Sequence, residues 1–221
     1  GHMNQEINNV LIITGGQIKD EFLCELLSKE RFTTIIAADH GLLAVDKLGI
    51  SLDYIVGDFD SVPDEILKKY RASSTPTMTY PTEKDKTDTQ IAIELALEHN
   101  ATSITIVGAT GSRLDHMIAN IHLLLLPLEQ KIDACIIDAN NKVYLKQDSF
   151  RIEKARQHGE YLSLLPFSEE AYGLTLTGFK YPLNNITLTV GSSLGISNEI
   201  QADIALVEFN KGTLLVIESR D

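Results

Sequence analysis

Tyr54-Ile55-Val56-Gly57-Asp58-Phe59-Asp60-Ser61 places an apolar run and a glycine ahead of two acids, the pattern of a short buried strand that ends in carboxylates. While the backbone stays extended, Asp58 and Asp60 point to one face about 6.5 to 7 Å apart. Two acids held that close favour a cation between them.

The same grammar recurs on either side. Asp39 closes the run Thr34-Ile35-Ile36-Ala37-Ala38, and Asp85 and Asp88 open a helix-like stretch. A single Asp after a strand is commonly a turn former or helix cap. A set of them at one sheet edge repels itself unless a metal or a proton neutralises it. Oxygen donors with no Cys or His cluster beside them suit Mg²⁺.

Working outward, short apolar runs alternate with helix-like stretches from Val10 to about Asp138. The runs are Val10-Leu11-Ile12-Ile13, Thr34 to Ala37, Tyr54-Ile55-Val56, Ser103-Ile104-Thr105-Ile106-Val107 and Cys135-Ile136-Ile137. Between them lie the periodic stretches 21–28, 42–48, 89–97 and 116–126. This alternation predicts an α/β fold with a mainly parallel, Rossmann-like sheet flanked by helices. Ligands of such sheets bind beyond the carboxyl ends of the strands, which is where the acids fall.

After Asn140 the runs around Leu162, Leu174, Ile186, Ile204 and Leu214 are β-branched, separated by Gly, Pro, Asn and Ser, with no long helical pattern between them. They predict a C-terminal antiparallel β-sandwich. The expected division is therefore an α/β domain over 1–140 and a β-sandwich domain over 141–221, with the boundary near 138–147.

Composition narrows the function. The 221 residues are 43% hydrophobic and 23% charged, those of an ordinary globular protein, and the formal charge of −12 argues against a nucleic-acid partner, which calls for a basic face. Two cysteines, Cys24 and Cys135, lack CxxC spacing and read as structural thiols of a reducing compartment. Gly1-His2-Met3 reads as a cloning remnant, no secretory signal pattern follows it, and the most apolar helix, near Ile121 to Leu128, is shorter than the roughly 20 residues a membrane span takes. The expectation is a cytoplasmic protein with no membrane partner.

Gly108-Ala109-Thr110-Gly111-Ser112-Arg113-Leu114-Asp115-His116 runs from a strand into a helix. Glycines at such a junction let backbone N–H groups approach phosphate, and Arg113 offers the donor fork a phosphoryl group accepts. No Gly-Lys-Ser/Thr follows, so this is not a Walker A loop. His116 reads equally well as a packed first-turn residue. In Lys84-Asp85-Lys86-Thr87-Asp88-Thr89-Gln90, Thr87 and Gln90 have capping-box spacing, which alone favours Asp88 in the first turn. Gly195-Ile196-Ser197-Asn198-Glu199 reads by composition as a polar loop.

Taken in order, Ala37-Ala38-Asp39-His40-Gly41, Gly57-Asp58-Phe59-Asp60-Ser61, Lys84-Asp85-Lys86-Thr87-Asp88, Gly111-Ser112-Arg113-Leu114-Asp115-His116 and Gly195-Ile196-Ser197-Asn198-Glu199 make a chain that resembles the thiamin pyrophosphokinase family over nearly its whole length. His40 stands where a second glycine is common in that family, and Ser112 where a glycine usually precedes the arginine. The resemblance implies transfer of pyrophosphate from ATP, the co-substrate, to thiamin. It implies Mg²⁺ on Asp58, Asp60 and Asp88, with Asp39, Asp88, Arg113 and Asp115 at the reacting groups. ATP would be held by Lys84, Thr87, Gly108, Thr110, Gly111, Ser112, Arg113 and His116. Ser197 and Asn198 would reach thiamin from the second subunit of a homodimer.

Asp58-Phe59-Asp60-Ser61 also resembles the signature of haloacid-dehalogenase-like phosphatases, but there the motif belongs to the first strand, whereas two strand-helix units precede it here. Two further readings are a hydroxymethylpterin acceptor in place of thiamin, and a non-catalytic Mg-nucleotide sensor.

Overall fold

The computed structural model describes residues 6–57, 60, 62–78, 85–111 and 113–221. The chain forms two compact units, residues 1–139 and 140–221.

In the first unit the strands are β1 (Asn9–Ile13), β2 (Thr34–Ala38), β3 (Tyr54–Val56), β4 (Thr77–Met78), β5 (Ser103–Val107) and β6 (Asp133–Ile137). The helices are α1 (Asp20–Lys29), α2 (Gly41–Leu48), α3 (Asp64–Arg71), α4 (Asp88–Glu98), α5 (Leu114–Leu123) and α6 (Leu125–Glu129). The strands lie in the order β4-β3-β2-β1-β5-β6, and every pairing between them is parallel. β1 is central, paired to β2 and β5, and its Val10, Leu11, Ile12 and Ile13 are fully buried. Burial on both faces is why that strand reads as a continuous apolar run rather than an alternation.

The order reverses at β1. From β1 the chain steps outward through β2 and β3 to β4, then α4 carries it back to β5 on the other side. At such a switch point the loops leaving the two strands diverge and open a crevice at their carboxyl ends. α4, which packs on β1, β2 and β3, begins where the sequence predicts: the Thr87 hydroxyl accepts a hydrogen bond from the Gln90 N–H at 3.2 Å. The Gln90 amide does not turn back to close the box but donates to Glu94 at 3.2 Å.

In the second unit the strands are β7 (Asn141–Lys146), β8 (Phe150–Glu153), β9 (Tyr161–Pro166), β10 (Glu170–Thr177), β11 (Leu183–Thr189), β12 (Ile204–Glu208) and β13 (Leu214–Ser219). β13 pairs antiparallel with β7 and β9. β11, β10, β12 and β8 form a four-stranded antiparallel sheet in that order. Burial alternates along β12, with Ala205 and Val207 inside and Ile204, Leu206 and Glu208 exposed. That is the period of a strand with one buried face.

Candidate active site

Four strand exits and one helix start converge at the carboxyl edge of the parallel sheet. Asp39 directly follows β2 in the left-handed region, φ 47°, a conformation that asparagine and aspartate tolerate better than most residues. Its N–H donates to the Val56 carbonyl at 2.9 Å, so the ends of β2 and β3 are tied together. Gly57 follows at φ 133°. A Cβ there would lie 3.3 Å from the Asp39 nitrogen and 3.3 Å from Asp88 Oδ2. The glycine thus lets the first carboxylate of α4 sit against the two strand exits that carry Asp39 and Asp58.

The exit of β1 completes the edge. The Thr14 hydroxyl shares a 3.1 Å hydrogen bond with that of Thr89, both buried, which anchors the first turn of α4 to β1. The Gly16 N–H donates to the Gly108 carbonyl at 2.6 Å, and a Cβ on Gly16 would collide with that same oxygen. A Cβ on Gly15 would lie 2.5 Å from that of His40. Thr14-Gly15-Gly16 is therefore wedged between the β2 and β5 exits, at the switch point. Sequence reasoning passed over this loop, although an apolar strand followed by paired glycines before a helix is the signal that singled out Gly108 to Gly111.

The other expected residues divide by what holds them. Thr110 is buried and donates its hydroxyl to Asp138 Oδ2 at 2.6 Å, and Asn120 donates to the Ala109 carbonyl at 3.2 Å. These bonds fix the Gly108–Gly111 turn against β6 and α5. Arg113 is the residue before α5 and donates to Asp115 Oδ2 at 2.5 Å. Asp115 Oδ1 accepts from the His116 N–H at 2.8 Å. The hydrogen bond from Arg113 holds the Asp115 carboxyl below its ordinary range. Arg113, Asp115 and His116 are exposed. Asp85 and Asp60 are also exposed, and Lys86 pairs with Glu94 at 2.9 Å. Asp58, Phe59, Ser61, Lys84 and Ser112 lie outside the described residues.

In the second unit, Ser197 is exposed with φ 56°, and its N–H donates to the Ser163 hydroxyl at 3.0 Å. Asn198 is only 3% exposed.

The comparisons bear on both units. Family models described as "Thiamin pyrophosphokinase, catalytic domain" and "Thiamin pyrophosphokinase, vitamin B1 binding domain" match residues 25–136 and 149–214. The chain belongs to the thiamin pyrophosphokinase family. It is 38% identical to a thiamine pyrophosphokinase of Bacillus subtilis over 193 residues, which cover 87% of this chain and 90% of that one. A crystal structure of the Bacillus subtilis thiamine pyrophosphokinase superposes with TM-score 0.86 at 34% identity, over 97% of this chain and 100% of that one. That of Geobacillus thermodenitrificans gives 0.83 at 34% identity, over 96% and 98%. The phosphatase likeness of Asp58 to Ser61 is thereby reduced to a local coincidence: the motif here follows β3, not the first strand. No helix among the described residues is long and apolar enough to cross a membrane.

Proposed function

We propose that this chain transfers the pyrophosphoryl group of ATP to the hydroxyethyl oxygen of thiamin, giving thiamin diphosphate and AMP. The observation that carries the reading is the convergence of Asp39, Gly57 and Asp88 on one edge of a chain whose two units match the two thiamin pyrophosphokinase domains. Attack of the alcohol on the β-phosphorus, with AMP leaving, asks for in-line positioning and for positive charge around the transferring group.

The donor set fits Mg²⁺. Asp58, Asp60 and Asp88 supply only carboxylate oxygens, and Gly57 leaves the Asp88 carboxylate room against the exit that bears Asp58. Among the described residues, which exclude Asp58, no group of three or more His, Cys, Asp or Glu side chains is placed to hold a metal. Asp58, Asp60 and Asp88 would hold the ion, which when bound neutralises triphosphate charge.

The remaining chemistry falls to the chain itself. Backbone N–H groups of Gly15 and of the Gly108–Gly111 turn supply phosphate donors, while the Gly16 N–H is spent on the Gly108 carbonyl and braces the two turns together. Arg113, held by Asp115, presents its fork to the phosphates. Asp115 is a poor candidate for taking the alcohol proton, because its lowered pKa weakens it as a base; its role is to aim Arg113. Thr87 and Thr110 support the ATP site as cap and brace, since their hydroxyls serve Gln90 and Asp138. By the family's pattern Lys84, Ser112 and His116 would serve the nucleotide and Asp39 the reacting groups.

Thiamin is received by the Ser197–Asn198 loop of a second copy, in a cytoplasmic homodimer. Each unit exposes apolar residues close in sequence to its candidate residues, which supports a second copy docking there: Leu114 and Ile118 after Arg113, and Val190, Leu194 and Ile196 before Ser197.

Incubation with Mg-ATP, with and without thiamin, tests the reading by chromatography of AMP and thiamin diphosphate. Equal amounts of the two, formed only with thiamin, are expected. Phosphate released without thiamin, or AMP formed only with a hydroxymethylpterin, overturns it, as does nucleotide binding with no turnover.

A further inference from the structure

Asn198 was expected to touch thiamin, yet its side chain is committed elsewhere. Its backbone N–H donates to the Leu162 carbonyl at 2.9 Å, and its carbonyl accepts from the Leu162 N–H at 2.8 Å. The side-chain oxygen accepts from the N–H groups of Tyr181 at 3.0 Å and Glu199 at 2.9 Å. The side-chain nitrogen donates to the Tyr181 carbonyl at 2.8 Å. One residue therefore joins the start of β9, the turn after β10 and the 195–200 loop.

The chemistry of that arrangement selects asparagine. Tyr181 turns both its N–H and its C=O toward Asn198, so the partner must accept and donate side by side, as a neighbouring peptide group does. A carboxamide does this; a carboxylate lacks the donor and an aliphatic chain lacks both. Both acceptor sites of the amide oxygen are filled, and the residue is almost fully buried. What reaches solvent is its neighbours: Ser197, held at φ 56°, and the Tyr181 side chain, 56% exposed. Lys180 strengthens the seam, donating its N–H to the Glu199 carbonyl at 2.8 Å and pairing with the Glu199 carboxylate at 3.2 Å.

We infer that Asn198 is a positioning residue: its carboxamide clamps the Lys180–Tyr181 turn to the 195–200 loop and so fixes the exposed Ser197 for the acceptor substrate, without itself meeting that substrate. The assignment rests on the proposed thiamin activity for its kinetic consequence, though not for the clamp.

Asn198→Asp keeps the shape and the acceptors, removes the donor, and sets an anionic oxygen against the Tyr181 carbonyl. The expected result is a thiamin KM raised about 5-fold or more with the ATP KM within about 2-fold of wild type. In a Ser197→Ala background the Asn198→Asp effect on thiamin KM should largely vanish, because both changes act through one contact. Multiplying effects would mean that Asn198 meets thiamin directly, and equal losses in kcat with neither KM moved would mean a purely structural residue; either overturns the inference. Should the variant not fold, NMR of the wild-type protein decides. The Asn198 side-chain NH₂ and the Tyr181 and Glu199 amides should exchange slowly before thiamin is added, and the NH₂ resonance should not shift when it is. Fast exchange, or a shift of that resonance, refutes the clamp. A wild-type protein with no thiamin-dependent AMP formation would sink the functional reading alone, leaving the exchange data to judge the clamp.

Discussion

Asp88 Oδ2 lies 3.3 Å from the point a Cβ on Gly57 would occupy. The first carboxylate of α4 and the residue ahead of Asp58 thus share one small space, and only hydrogen fits it without displacement. Gly57→Ala adds backbone strain at φ 133° to that crowding. We expect a stability loss of about 1–3 kcal/mol and a fall in kcat/KM of about 10-fold or more, since small misplacements of reacting groups cost that much. Urea unfolding and thiamin diphosphate formation measure the two; unchanged activity would show that Asp88 need not stand where it does.

Gly15 and His40 make a second pair. A Cβ on Gly15 would lie 2.5 Å from that of His40, closer than side-chain carbons pack. Gly15→Ala should reduce thermal stability and raise the ATP KM by pushing apart the β1 and β2 exits. His40→Gly in the same chain should recover part of both, giving a coupling of about 1 kcal/mol in the double-mutant cycle. Strict additivity would mean that the loop yields elsewhere.

The Arg113–Asp115 pair carries a pH signature. Arg113 lowers the Asp115 pKa, so its stabilising contribution is present above the unfolded carboxylate value and is lost as pH falls through the depressed folded value. Both groups are exposed, so the gain in stability is small. The functional expectation is sharper: with its pKa lowered by Arg113, Asp115 is ionised throughout the range above that of an ordinary carboxylate, and any acid limb of kcat/KM found there belongs to another group. Asp115→Asn should leave the position of that limb unchanged while weakening ATP binding by loosening Arg113. A limb that moves with the substitution would restore Asp115 as a proton acceptor.

The core of the sheet was legible because burial on both faces writes continuous apolar runs, as in Val10 to Ile13. The elements that escaped lack that stamp. β4 has two residues, α3 is a charged helix with no buried residue, and β7 interrupts its buried Val143, Tyr144 and Leu145 with flanking lysines. In the site, acids and arginine announce themselves, while the Thr14–Gly16 loop acts through the absence of side chains. Asn198 is the reverse case: by composition its stretch reads only as a polar loop, and nothing in the sequence shows that its side chain is tied to the N–H and C=O of Tyr181.

Asp60 and Asp88 offer the test that separates metal binding from fold. Asp60 is exposed, whereas Asp88 sits half-buried in the first turn of α4, where a carboxylate also favours the helix dipole. Asp60→Asn should therefore change the unfolding free energy little, and Asp88→Asn should lower it slightly, by about 0.3–1 kcal/mol. Both should lose about 10²-fold or more in kcat/KM at fixed Mg²⁺. If Asp60 is a metal ligand, part of its loss returns as Mg²⁺ is raised, and calorimetry of Mg²⁺ binding in the presence of ATP weakens in parallel. A loss at Asp60 that no Mg²⁺ concentration relieves, with binding of the ion unaltered, would place that carboxylate on the substrate instead and leave Asp58 and Asp88 as the pair that holds the cation.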